Sequence, residues 1–184
     1  MWDRDADAMA AALERHDRVV AEVVTAHGGT LLKSKLEGDA TVSVFARATE
    51  CAVAALALLD AIESEVWPDG AEPSLRIAMH TGEAFERDGD YFGPALNRAA
   101  RLRGLAAGGE VLLSQAVAEL VQDHLPDGVV LRDRGHQALR GLSRGETVSE
   151  LTRAPAEGRT SSTISPTSRT TRGRLTLSTP ITPP

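Results

Sequence analysis

The stretch from Gly89 to Leu102, reading G-D-Y-F-G-P-A-L-N-R-A-A-R-L, restricts what this chain can fold into more than any other. Gly93-Pro94 marks a helix start, because proline suits the first helical position, where its missing N–H has no intrahelical partner in any case. Asn97 and Arg101 lie four residues apart within that helix and so share a face. Asp90 stands just upstream, in the turn that feeds the helix. An amide, a guanidinium and a carboxylate around a helix N-terminal region favour an anionic ligand. Spacing by itself favours a plainer reading, in which Asn97 and Arg101 are the wet face of an amphipathic helix.

The flanking chain alternates between helical and strand periods. Asp3 to Ala26 reads as a long helix, with Met9, Leu13, Val20 and Val23/Val24 at three-or-four spacing and Gly28-Gly29 to end it. Leu31 to Glu37 and Thr41 to Phe45 read as strands joined at a Gly38-Asp39 turn. Thr49 is placed to cap a helix through Ser64 that turns Val53, Leu56, Leu59 and Ile62 inward. Leu75 to Ala84 is a strand, R-D-G-D at 87–90 a turn, and Pro94 to Ala106 the helix already introduced. Glu110 to Leu113, Val129 to Arg132 and Thr147 to Leu151 are further strands, with a helix from Ser114 to Leu125 among them. This order implies an α/β (α+β) sandwich, helices packed over one face of a mostly antiparallel sheet.

Composition narrows the function. With 184 residues the chain can build one domain with a proper core, and aromatics at 3% make that core aliphatic and alanine-rich. A formal net charge of -6 and the lack of an aromatic stacking platform argue against nucleic acid as a partner. Cys51 is the single cysteine, so no intrachain disulfide or cysteine-built zinc cluster can form, and a buried thiol is expected. The longest uncharged apolar run, Cys51 to Leu59, is too short to span a bilayer. The acidic opening M-W-D-R-D-A-D-A-M lacks the marks of a secretion signal, so a cytoplasmic protein without membrane contact is expected. From Thr152 onward the chain is rich in Thr, Ser, Pro and Arg without periodicity, and residues 152–184 are expected to be a disordered tail. That tail holds five arginines against one glutamate, which leaves 15 basic and 25 acidic residues in the remainder.

Four ordered blocks carry a resemblance more specific than any single motif. They are L-L-K-S-K-L-E-G-D-A-T-V-S-V-F at 31–45, L-R-I-A-M-H-T-G-E at 75–83, the 89–102 block, and L-R-D-R-G-H-Q-A-L-R-G-L at 131–142. Through them Trp2 to Leu151 resembles the catalytic domain of class III nucleotide cyclases, the adenylate/guanylate cyclase family. The resemblance implies a ferredoxin-like βαββαβ core with appended strands and helices over residues 1–151. It also implies conversion of ATP to cyclic AMP and pyrophosphate in intracellular signalling, the ribose 3′-hydroxyl attacking the α-phosphate in line. Two divalent ions, Mg2+ or Mn2+, are expected to lower the hydroxyl pKa and neutralise the triphosphate.

By the same resemblance, Asp39 is a metal ligand, and Lys35 and Asp90 are the readers of the purine base. An ammonium donating to ring N1 and a carboxylate accepting from the exocyclic amine suit adenine, although the donor pattern alone does not exclude guanine and GTP. Asn97 matches the residue that orients the ribose, and Arg101 the one that stabilises charge developing on phosphorus. Arg140 matches a cation that grips the triphosphate, and arginine there can bind phosphate oxygens bidentately. His80 matches a frequent family residue without a catalytic role and is read as packing. In the family these groups meet only across a subunit seam, so a head-to-tail homodimer, or pairing with another cyclase domain, is implied.

One departure stands out. The family domain opens with an apolar strand bearing a second metal aspartate ahead of a tryptophan that Trp2 matches, so that strand falls before Met1. On this reading the domain is N-terminally truncated, Asp39 is the one carboxylate left for two ions, and Mg2+ sheds water reluctantly. If the missing ligand costs even ~4 kcal/mol, the rate falls about a thousandfold, so a weakly active or inactive chain is expected. The strands flanking the vacant place would show unpaired edges. The alternative to an enzyme is a non-catalytic cyclase-homology module that binds nucleotide or pairs with another cyclase domain.

Overall fold

Unbroken apolar runs govern the sheet. Ile77, Ala78 and Met79 are all buried, and so are Val111, Leu112 and Leu113. Successive strand residues point to opposite faces, so such runs can be buried only where both faces are covered.

The computed structural model describes residues 6–32, 40–68, 72–155, 175–179 and 181–182. Its first half contains α1 (Ala6–Ala26), β1 (Thr30–Leu31), β2 (Thr41–Phe45), α2 (Ala48–Ser64), β3 (Ser74–Leu75), β4 (Ile77–Thr81), β5 (Phe85–Arg87) and β6 (Asp90–Phe92). There follow α3 (Pro94–Arg103), β7 (Val111–Ser114) and α4 (Gln115–Val121), which runs into a 3-10 turn (Gln122–His124). The last strands are β8 (Val129–Gln137), β9 (Glu146–Arg153), β10 (Leu175–Thr179) and β11 (Ile181–Thr182). Seven of them form one sheet in the order β1-β2-β10-β4-β7-β9-β8. Only β4 and β7 run parallel; every other pairing is antiparallel.

The two sides of each strand belong to different cores. Ile77, Met79, Val111 and Leu113 pack with Val19, Val20 and Val24 of α1, Cys51 and Leu58 of α2, and Val117 and Val121 of α4. Ala78 and Leu112 pack instead with Leu102, Ala106 and Val148. Three helices therefore cover one face and α3 covers the other, which corrects the expectation of helices on a single face. The signal was in the I-A-M and V-L-L runs, which leave no polar face to turn to water.

Local details also shift. α1 buries Ala12, His16, Val19, Val20 and Val24, a stripe rotated from the Met9–Leu13 line the spacing suggested. Helix α2 begins at Ala48 with Arg47 at its N-cap, so Thr49 lies inside the first turn and caps nothing. Val53 is exposed, while Cys51, Ala52, Ala54, Ala55, Leu58 and Ile62 face inward. Small alanines bring this helix close to the sheet, and the large side chains, each worth about 1.5–3 kcal/mol of burial, sit at its inner face. Burial also pushes the Cys51 thiol well above its ordinary range, as an inert packing group requires.

The tail differs most from expectation. Residues 175–179, inside the segment read as disordered, form β10 between β2 and β4. Leu175 pairs with Phe45 on one side and Thr81 on the other, and Ser178 with Val42 and Ala78. The edges expected to be unpaired are thus paired. L-T-L-S-T is too short to form structure alone; it is ordered by two ready-made edges, which no local reading of the sequence displays.

Candidate active site

Asp90, Asn97 and Arg101 are carried by one continuous unit, a hairpin running into a helix. Asp88 and Gly89 both take positive φ (57° and 80°), the conformation of a two-residue type I′ turn, and close β5 on β6. Asp90 opens β6, half-buried, its Oδ1 accepting the Tyr91 backbone N–H at 2.9 Å. Gly93 then takes φ 134°, a region closed to side-chain-bearing residues, and Pro94 starts α3. That combination turns the chain from strand to helix within a single residue.

Helix α3 is amphipathic. Ala95, Leu96, Ala99 and Leu102 are buried against the sheet, whereas Asn97 and Arg101 are exposed on the outer face. Leu96 joins Leu32 and Val42 in a small core that Tyr91 and Ala84 flank, which ties the helix start to β2. Arg101 lies in the last turn of this ten-residue helix, beside Arg103, where cations complement the carbonyl end of the dipole. The group is therefore spread along the helix rather than gathered at its N-terminus.

Contacts that sequence spacing did not reveal tie α3 to the sheet and to the start of α4. Arg98 donates to Glu146 Oε2 at 2.8 Å, and Glu146 Oε1 accepts the Gln115 backbone N–H at 3.3 Å. Beneath them His80 Nδ1 and Ser114 Oγ are 2.9 Å apart, so Ser114 bonds across the sheet instead of capping α4. Burial lowers the His80 pKa; Glu146 opposes that shift and Arg98 adds to it. His80 is thus a polar bridge and not simple packing. No spacing rule joins residues 34 positions apart on neighbouring strands.

Arg140 stands elsewhere, exposed in the connection between β8 and β9, where Leu139 is buried and Gly141 turns the chain at φ 76°. Lys35 and Asp39 lie outside the described residues. Phe85 and Phe92 face each other across the β5–β6 hairpin, both exposed, with the Arg87 guanidinium 5.1 Å from the Phe92 ring centroid. An open cleft of about 640 Å3, lined among others by Ile62, Glu63, Trp67 and Glu72, lies at the end of α2, which packs on the sheet face opposite α3.

Among the described residues no group of three or more His, Cys, Asp or Glu side chains is placed to hold a metal ion. Asp39, the carboxylate read as a metal ligand, lies outside the described residues.

The frame that carries Asn97 and Arg101 is a mixed sheet with helices on both faces. Residues 3–150 match the model of the adenylate and guanylate cyclase catalytic domain, and the chain belongs to that family. An uncharacterized protein of Mycobacterium tuberculosis is 42% identical over 151 residues, covering 82% of this chain and 50% of its own length. The chain thus spans about half the length of these curated relatives. Among solved structures, an adenylate/guanylate cyclase/hydrolase from Silicibacter pomeroyi superposes with TM-score 0.66 at 23% identity, covering 84% of this chain and 89% of that one. An adenylate cyclase from Trypanosoma brucei in its monomeric state gives 0.67 at 19% identity, covering 86% of each. These two likenesses establish the class III cyclase fold. No helix among the described residues is long and apolar enough to cross a membrane.

Proposed function

We propose that this chain is one half of a nucleoside-triphosphate site, taking ATP in preference to GTP and forming cyclic AMP and pyrophosphate only slowly. The observation that carries the reading is the outer face of α3, where Asn97 and Arg101 are exposed and no wall of the same described chain stands over them. A polar pair presented this way becomes a pocket when a second surface closes on it. The exposed Phe85–Phe92 pair beside it offers apolar area to the same closing surface, a second copy of the chain or another cyclase domain.

In that pocket the Asp90 carboxylate accepts a hydrogen bond from the exocyclic amine of adenine, and the Asn97 amide holds the ribose. Arg101 faces the α-phosphate and neutralises charge as it builds on the oxygens, a preorganised contact whose worth rises as water is excluded. Lys35 and Arg140 complete the set as a second base contact and a triphosphate cation, and Asp39 as the metal carboxylate. A second reading, a module that binds nucleotide without turnover, draws on the lack of a carboxylate cluster among the described residues.

The test is an assay of the purified chain with ATP and with GTP, in magnesium and in manganese, following cyclic product and nucleotide binding separately. Slow cyclic AMP formation is expected. Arg101→Ala should lower it about 10²–10³-fold and leave the melting temperature unchanged, because Arg101 is exposed. Binding of ATP without cyclic product in either metal would establish the second reading, and neither binding nor product would reject both.

A further inference from the structure

The place of β10 in the sheet has consequences of its own, independent of the nucleotide reading. β10 is the one strand of the large sheet drawn from the far end of the chain, and it is central rather than peripheral. It runs antiparallel to both neighbours, with Thr176 between Val44 and His80 and Leu177 between Ser43 and Met79. Take it away and the sheet divides into β1-β2 and β4-β7-β9-β8, two edges facing each other about 9–10 Å apart, twice the spacing of adjacent strands. A gap of one strand's width with donors and acceptors on both walls recognises an extended peptide by its main chain. The backbone register sets Leu175 opposite Phe45 and Thr81, and Leu177 opposite Ser43 and Met79.

The tether does not force the arrangement. Residues 154–174 separate the end of β9 from β10, and a link of that length can reach up to ~70 Å. What holds the strand is its own pairing, together with the two-residue ladder of β11 on β3, where Ile181 meets Leu75. Pro180, between β10 and β11, has no N–H to add.

We infer that the gap between β2 and β4 is a strand-binding site and that the chain's own residues 175–179 are its ligand, docked in cis and reversibly. Helix α3 packs on β10 as well as on β4, so occupancy of the gap sets the footing of the helix that carries Asn97 and Arg101. The C-terminal segment is then a built-in ligand that completes the sheet and steadies α3 while it is bound.

Hydrogen exchange on the unmodified full chain tests the docking. Amides of residues 176–179 should exchange at least about a hundredfold more slowly than in the free peptide, and within about tenfold of Val42–Phe45. Reversibility is tested by inserting a protease site into the 156–174 link of the full chain and cutting it. The cut piece should co-elute with the body and be displaced by excess synthetic peptide of residues 172–184. The same peptide carrying Leu177→Pro should fail to displace it, since proline removes a ladder N–H. Exchange at the free-peptide rate, prompt loss of the cut piece, its retention against excess peptide, or equal displacement by the proline peptide each overturns the proposal.

Discussion

At the scale of single residues, the exposed groups of the candidate site depend on half-buried ones behind them. Arg98 and Glu146 are only 24% and 13% exposed, so their 2.8 Å ion pair is shielded from solvent better than an ordinary surface bridge. Arg98→Ala should destabilise the fold by about 1.5–3 kcal/mol, the usual range for a hydrogen bond to a charged group. Urea unfolding measures it, and Arg98→Lys, which keeps the charge, should lose less. His80 supplies a pH signature of known sign. Its folded pKa is lowered, chiefly by burial, so the folded state favours the neutral ring. The associated stability is present above the unfolded value of about 6.5 and is lost as pH falls through the folded value. The urea midpoint should therefore drop on going from pH 7.5 to 5.5, and His80→Gln should flatten that drop. The placing of Asp90 just ahead of the helix, and of Asn97 and Arg101 on one exposed face, was legible in the sequence because a strand-to-helix junction and a helix face are local. The His80–Ser114 and Arg98–Glu146 contacts were not, because each joins distant positions that only the sheet brings together.

At the scale of elements, the start of α3 depends on one backbone conformation. Gly93 sits at φ 134°, and a Cβ built there meets nothing closer than 3.6 Å, so the penalty for a side chain is conformational and not a clash. Gly93→Ala should cost about 1–3 kcal/mol and move the start of α3, weakening nucleotide binding as well as stability. Gly29 offers the opposite case. Its Cβ would fall 2.5 Å from the Phe45 ring, so any side chain there must displace the core. Thermal unfolding paired with nucleotide titration separates the two effects at Gly93: a loss of stability without weaker binding would show that α3 keeps its place by packing alone. The helix boundary was readable from Gly93-Pro94, since a cap is a local affair. The face on which α3 lies was decided instead by how Ala78 and Leu112 were buried, a choice that periodicity in α3 itself does not record.

At the scale of the whole molecule, the order in which strands meet follows from their separation along the chain. β8 and β9 pair through the Gln137–Glu146 connection, and β4 meets β7 at Ile77 and Val111, 34 positions apart. β10 must bring Leu175 to Phe45, a separation of 130. Closing the larger loop costs more chain entropy, about 0.6 kcal/mol for each doubling, and the difference alone does not delay β10 by much. The stronger constraint is that β10 gains its hydrogen bonds only after β2 and β4 stand a strand's width apart, since neither edge orders L-T-L-S-T by itself. This is also why the strand was invisible to composition: its sequence lacks the apolar content to offset its own ordering, and the deficit is met by edges formed elsewhere. Pulse-labelled hydrogen exchange during refolding should accordingly show β8 and β9 protected first, β4 and β7 next, and residues 176–179 last, together with the β2 amides that face them. Protection of β10 ahead of β4 would mean that the tail nucleates the sheet instead of completing it.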